Sequence, residues 1–195
     1  TCHLGNGSSI TAVKGGKSFD TTMGVTPLDG LMMGTRSGSI DPAIIPFLME
    51  KEGMTAKEID VMLNKKSGIL GVTQKTSDNR DIEQGAREGN KRYQLVENML
   101  CHQITKYIGG YAAAMGGIDA IVFTGGIGEN NPQYRTRVAE KLKFMGVEID
   151  EEINKKAFRT SVEYDISKPD AKVRMLVIPT NEELMIARDT YALVK

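Results

Sequence analysis

The sequence predicts an α/β fold built on a sheet of mixed direction. Three observations carry that expectation: a β-hairpin signal leads the chain, short apolar runs then alternate with stretches of helical spacing, and a strand–turn–helix pattern occurs twice near the carboxyl end.

Taken in order, His3 stands at the end of a first strand, and Gly5-Asn6-Gly7-Ser8-Ser9 forms a glycine-rich entry to the hairpin. Ser9 to Val13 is a short strand, Gly15-Gly16 a two-residue hairpin turn, and Lys17 to Thr22 the returning partner. Asp41-Pro42 opens a helix with Pro near its first turn, and Ala43, Ile44, Phe47 and Leu48 follow at helical spacing. Thr55-Ala56-Lys57-Glu58 has the spacing of a capping box and starts another helix through Ile59, Met62 and Leu63. Between Lys66 and Asp81 the chain is rich in Gly, Ser and Thr and reads as a loop. From Lys91 to Met115 apolar residues advance by three or four, predicting a long helix interrupted at most by Gly109-Gly110. Ile118 to Thr124 is a buried-strand pattern, Gly125 to Asn130 a glycine-rich turn, and Tyr134 to Met145 a helix. Val173 to Ile178, Pro179-Thr180-Asn181 and Glu182 to Leu193 repeat strand, turn and helix.

Composition narrows the function classes. With 25 Lys+Arg against 25 Asp+Glu the formal net charge is zero, so no global basic field exists for nucleic acid or an anionic membrane. No apolar run approaches the roughly 20 residues that span a bilayer, and nothing at the amino end resembles a signal peptide. Cys2 and Cys101 are lone thiols without metal-ligand spacing, which points to a reducing, cytoplasmic setting. A chain of 195 residues buries about 70% of its unfolded surface, enough for one domain or a domain with an extension. Glycine is the outlier at 21 residues, well above the average of about 7%.

Position decides what those glycines do. A strand, a glycine turn and a helix aim backbone N–H groups and a helix N-terminus at an anion. Gly125-Gly126-Ile127-Gly128-Glu129-Asn130 fits that arrangement but lacks the third glycine of the dinucleotide fingerprint, and no Gly-Lys-Ser/Thr follows. Close strand-to-helix packing would also select Gly here. Two further glycine-rich segments, Gly5 to Ser9 and Gly34-Thr35-Arg36-Ser37-Gly38, strengthen the anion reading. Arg36, flanked by small residues, has room to fork onto a phosphate, or is a surface arginine in a turn. Asp78-Asn79-Arg80 offers partners for a ribose and a base, or an ordinary turn. Thr180 and Glu183 have capping-box spacing, which leaves Glu182 free at the same helix end for a metal or its waters. His3 beside the first glycine loop is a candidate phosphate contact, whereas His102 lies in the long helix as a packing or solvent-facing residue. The eleven Met residues read as core filling, and the charged stretch Lys141 to Lys156 as a solvated helix face and turn.

Together and in order, His3-Leu4-Gly5-Asn6-Gly7-Ser8-Ser9, Met33-Gly34-Thr35-Arg36-Ser37-Gly38, Thr124 to Asn130 and Pro179-Thr180-Asn181-Glu182-Glu183-Leu184 resemble the acetate kinase family. Propionate and other short-chain acyl kinases are the nearest alternatives. The resemblance covers the carboxy-terminal half of such an enzyme. It implies a ribonuclease-H-like mixed five-stranded sheet with flanking helices, as in the actin and Hsp70 ATPase lobes. Residues 1–183 would form the nucleotide-binding lobe, and the terminal helix 184–195 would pack on an amino-terminal lobe. His3, Leu4, Gly5, Asn6 and Gly7 match the first ATP-phosphate segment, and Asp78, Asn79 and Arg80 match the adenosine segment. Gly126, Ile127, Gly128, Glu129 and Asn130 match the adenine-side glycine turn, Glu182 matches the Mg²⁺ position (Mn²⁺ as a substitute), and Arg36 matches the catalytic arginine. Ser39 departs from the family's arginine motif, which often carries Asp there.

The activity so implied is reversible phosphorylation of acetate to acetyl phosphate by ATP, with ADP as the other nucleotide. The family's catalytic aspartate and histidine and its acetate pocket have no counterpart here, so the chain alone is expected to bind Mg²⁺-nucleotide with little or no kinase activity. A homodimer is expected, with the region of the Lys91 to Met115 helix as one candidate surface. A rival from another class is a non-catalytic nucleotide-binding module of the same superfamily. A nicotinamide dehydrogenase is disfavoured by the missing glycine and by the leading hairpin.

Overall fold

A computed structural model describes residues 1–195. Six strands form one sheet: β1 (Cys2–Leu4), β2 (Ser8–Lys14), β3 (Lys17–Thr21), β4 (Ala120–Thr124), β5 (Tyr164–Asp165) and β6 (Arg174–Val177), in the order β3-β2-β1-β4-β6-β5. The pairings β1·β4 and β4·β6 are parallel and the other three antiparallel, which makes the sheet mixed as expected. The expected five strands are joined by a sixth, the two-residue β5, too short to leave an alternating pattern in the sequence. Gly15 and Gly16 both take positive φ, 59° and 74°, as a type I′ hairpin turn requires.

Nine helices accompany the sheet: α1 (Ile44–Glu52), α2 (Ala56–Lys65), α3 (Gly68–Thr73), α4 (Asn79–Arg87), α5 (Lys91–Met115), α6 (Gly125–Asn130), α7 (Pro132–Leu142), α8 (Glu151–Lys156) and α9 (Glu182–Val194). The capping box forms in full, Thr55 accepting from the Glu58 N–H while Glu58 accepts from that of Thr55. Helix α5 runs without a break through Gly109-Gly110. The main core lies between β1, β4 and β6 and the helices α5 and α7, with Phe123, Met175, Val177, Ile104 and Val138 among its members. A second cluster, including Ile69, Ile82, Tyr93, Val96 and Tyr134, joins α3, α4, α5 and α7.

Several local expectations need correction. The segment from Lys66 to Asp81 is not simply a loop: α3 forms because its amides reach across to the segment around Arg36, with Ile69 donating to Met33 O at 2.8 Å and Leu70 to Gly34 O at 2.9 Å. The glycine turn at Gly125–Asn130 is itself helical. The stretch from Lys141 to Lys156 is not wholly solvated, since Val147 is buried and bridges to Val173. Helix α5 turns Tyr93, Val96, Leu100, Ile104 and Ile108 into the cores and leaves Leu95 exposed. Exposed apolar side chains stand also on α1, where Ile44, Phe47 and Met49 are uncovered and no residue is buried. Helix α9 likewise buries nothing and exposes Leu184, Met185, Ile186, Tyr191 and Leu193.

Candidate functional site

The carboxyl end of β4 faces the loop after β1, and Gly125 is the reason the two can meet. Its φ is +77°, and a Cβ there would stand 2.8 Å from the Leu4 carbonyl oxygen, so only glycine fits. Gly34 makes a second close approach: its N–H donates to Asn6 O at 3.0 Å, and a Cβ would meet the Asn6 amide oxygen. Gly68, at φ +61°, packs its backbone against Met33 O and Arg36 O. The three glycine-rich segments singled out in the sequence are thereby brought side by side.

The first and third of them open onto a cavity of about 730 Å³, and no residue from Gly34 to Gly38 lines it. Gly5, Asn6, Asp78, Asn79, Arg80, Gly126, Ile127 and Asn130 all line it, although they come from three distant stretches. Glu83, Gln84, Arg87, Glu88, Phe158 and Arg159 complete the wall. Sequence reading missed these six; the α4 residues carried a helical pattern that the preceding loop composition masked, and Phe158-Arg159 gave no local signal. Ile127 and Phe158 are the apolar side chains in a wall that is otherwise polar or glycine.

Asp78 and Arg80 hold each other at the cavity edge, with Arg80 Nη2 2.5 Å from Asp78 Oδ2 and Arg80 Nε 3.0 Å from Oδ1. Asp78 also caps α4 through the Arg80 N–H, so the turn reading and the site reading describe one residue. These bonds from Arg80 hold the Asp78 carboxyl down at about 2. Asn79 points its amide inward, donating to Glu83 Oε1 at 2.5 Å and accepting from the Tyr134 hydroxyl at 3.2 Å. Burial pushes the Glu83 carboxyl up, against the opposing pull of Arg87.

Not every proposed contact lies in that cavity. Leu4 and Gly128 are buried, the first in the main core and the second against the backbones of Cys2 and Phe123. Glu129 is a strut: its Oε1 accepts from the N–H of Gly125 at 2.7 Å, from the N–H of Thr180 at 2.8 Å and from the Thr180 hydroxyl at 3.0 Å. Thr180 therefore does not cap α9. Asn181 does so, accepting from the Leu184 N–H, and the proposed capping box with Glu183 is absent. The structural ground for preferring Glu182 over Glu183 falls with it, since both are exposed.

A second cleft of about 400 Å³ adjoins the first, and Gly126 lines both. His3, Gly125, Thr180, Asn181, Glu182 and Glu183 complete it. No group of three or more His, Cys, Asp or Glu side chains gathers to cage a metal. The two exposed carboxylates there, Glu182 and Glu183, fit an ion that keeps most of its waters and takes other ligands from a phosphate, as Mg²⁺ does. Arg36 is half-buried beside the first loop, donating from Nη1 to the Pro27 carbonyl at 3.3 Å, and a Cβ at Gly7 would stand 3.3 Å from that same nitrogen. Ser39 does not neutralise it; its hydroxyl donates to Asp29 at 2.5 Å. His102 is exposed on α5. No helix is long and apolar enough to cross a membrane.

Comparison with known proteins bears on the whole chain. Residues 1–188 match the family described as "Acetokinase family". An acetate kinase of Treponema denticola is 57% identical over all 195 residues, which correspond to 48% of that relative. Among solved structures, Porphyromonas gingivalis acetate kinase superposes with a TM-score of 0.91 at 50% identity, over 100% of this chain and 48% of its own. A propionate kinase from Francisella tularensis superposes at 0.87 with 45% identity, over 95% of this chain and 47% of its own. The chain spans about half the length of the curated relatives it matches.

Proposed function

From the chain's membership of the acetokinase family, we propose that it is the ATP- and Mg²⁺-binding half of an acetate kinase, which transfers the γ-phosphoryl group of ATP reversibly to acetate. The observation that carries this reading is the convergence of Gly5-Asn6, Asp78-Asn79-Arg80 and Gly126-Ile127-Asn130 on one cavity. Adenosine would lie along Asp78 to Arg80 and the α6 wall. The phosphates would run past Gly126 towards His3, Gly7 and Arg36. Leu4, Gly128 and Glu129 would serve by holding backbone in place.

A carboxylic acid with a pKa of about 4 is already ionised at neutral pH, so the acceptor needs no strong general base. Catalysis then rests on alignment and on spreading the charge that crowds around the transferred group. Arg36, held by the Pro27 carbonyl beside Gly7, would bring a guanidinium to the γ-phosphate. Glu182, the proposed metal residue, would hold Mg²⁺ (or Mn²⁺) through its waters, and the ion when bound would supply charge neutralisation for the transferred group. Acetate itself would be aligned by an amino-terminal lobe, with residues 1–183 as the nucleotide lobe and the uncovered helix 184–195 packing across the boundary. Alone, the chain would bind nucleotide with little or no turnover. A homodimer and a cytoplasmic location belong to the same reading, the latter supported by two buried unpaired thiols.

A propionate kinase is a second reading, favoured by the similarity to the Francisella enzyme. A nucleotide-binding module without catalysis is the rival of another class, and Arg36 separates it. In an enzyme reconstituted with an amino-terminal half, Arg36→Ala should leave ATP affinity within a few-fold and abolish acetyl phosphate formation. Unchanged turnover would remove the catalytic assignment.

A further inference from the structure

Arg135 on α7 has no exposed surface and no carboxylate within ion-pair distance, yet all five of its N–H donors are used. Nη1 donates to the carbonyls of Gly128 at 2.8 Å and Glu129 at 2.7 Å. Nη2 donates to those of Asn154 at 2.9 Å and Ala157 at 2.6 Å, and Nε to the Asn154 side chain at 2.8 Å. The four carbonyls belong to the last turns of α6 and α8 and to Ala157 at the C-cap of α8, where helices leave acceptors without internal partners. Desolvation lowers Arg135 to about 10, which still leaves it charged at neutral pH.

Those two helix ends flank the cavity. Helix α6 supplies Gly126, Ile127 and Asn130 to one wall, and the chain leaving α8 supplies Phe158 and Arg159 to another. A second link crosses the same gap, the Arg159 N–H donating to Asn130 Oδ1 at 2.9 Å. Lysine could not replace this arginine, because one ammonium on a flexible stem cannot span two carbonyl pairs set by a planar fork.

We propose that Arg135 is a positioning residue that fixes the separation of the α6 wall from the Phe158-Arg159 wall and so sets affinity for the nucleotide. This rests on the nucleotide reading of the cavity. The test is ATP titration of the unmodified chain, Arg135→Lys, Asn154→Ala and Thr22→Val, with circular dichroism and melting temperature recorded for each. Thr22→Val removes a buried hydroxyl that accepts the Ile10 N–H at 3.0 Å, so it lowers stability without touching Arg135, its partners or the cavity wall.

Arg135→Lys should keep native dichroism at low temperature and bind ATP about tenfold more weakly, a loss of about 1.4 kcal/mol. Asn154→Ala, which removes the Nε contact, should fall between, and Thr22→Val should bind as the unmodified chain does. A folded Arg135→Lys chain with affinity within twofold of the unmodified one overturns the proposal. So does Thr22→Val losing as much affinity as Arg135→Lys. If Arg135→Lys does not fold, Asn154→Ala decides: weakened binding supports the proposal and undiminished binding overturns it. An unmodified chain that binds no ATP is a different failure, that of the nucleotide reading itself.

Discussion

The carboxylate of Glu129 accepts the backbone N–H of Thr180 at 2.8 Å across 51 residues of sequence, and so fastens α6 to the turn between β6 and α9. The same oxygen holds the first N–H of α6 at Gly125. Glu129→Ala leaves both donors without this partner and should destabilise the chain by about 1.5–3 kcal/mol, the range for hydrogen bonds to a charged group. Glu129→Gln, which keeps an acceptor, should cost less. Urea denaturation of the two variants measures the difference.

Neighbouring glycines should respond in opposite ways. Gly125→Ala places a methyl at 2.8 Å from Leu4 O at a φ of +77°, and the left-handed conformation alone costs roughly 1–2 kcal/mol for a residue with a Cβ. A methyl added at Gly126 would meet nothing within 4 Å, and the backbone there has no positive φ. Gly126→Ala should therefore melt with the unmodified chain while binding ATP more weakly, because the methyl intrudes where ligand would pass. Thermal melts paired with ATP titrations separate the two effects.

Glu83 gives the stability a pH signature. Burial raises its carboxyl above the ordinary 4.5, so the folded chain holds this proton to higher pH than the unfolded chain does. The contribution favours folding below about pH 4.5 and is lost as pH rises through the raised value. Glu83→Gln keeps an acceptor for Asn79 and Asn131 and cannot titrate. Urea midpoints between pH 4 and 7 should fall more steeply with pH for the unmodified chain than for this variant.

Both thiols should be inert in the folded chain. Burial pushes Cys2 and Cys101 up to about 11, which leaves on the order of 0.1% thiolate at pH 8. Iodoacetamide at pH 8 should leave the native chain unmodified by mass and label two sites in denaturant.

What was legible in the sequence was local. Thr55 and Glu58 sit three residues apart and satisfy each other, Gly15-Gly16 needs only its own turn, and α5 repeats its apolar spacing along 25 residues. The glycine segments were legible as places of close backbone approach, because that approach is what excludes a Cβ at Gly34 and Gly125. Failures came where a distant partner decides. Helix α3 depends on carbonyls of Met33 and Gly34, Thr180 is claimed by Glu129, and Arg135 draws its partners from two other helices. The missed part of the cavity wall followed the same rule: Phe158 and Arg159 enter it through the fold alone.

Calorimetric titration of the 195-residue chain with Mg²⁺-ATP, repeated with NAD, tests the central claim most directly. The account predicts one saturable ATP site, competed by ADP and weakened in Glu182→Ala, with no comparable heat from NAD. Absence of ATP binding at millimolar concentration, or preference for NAD, would contradict it.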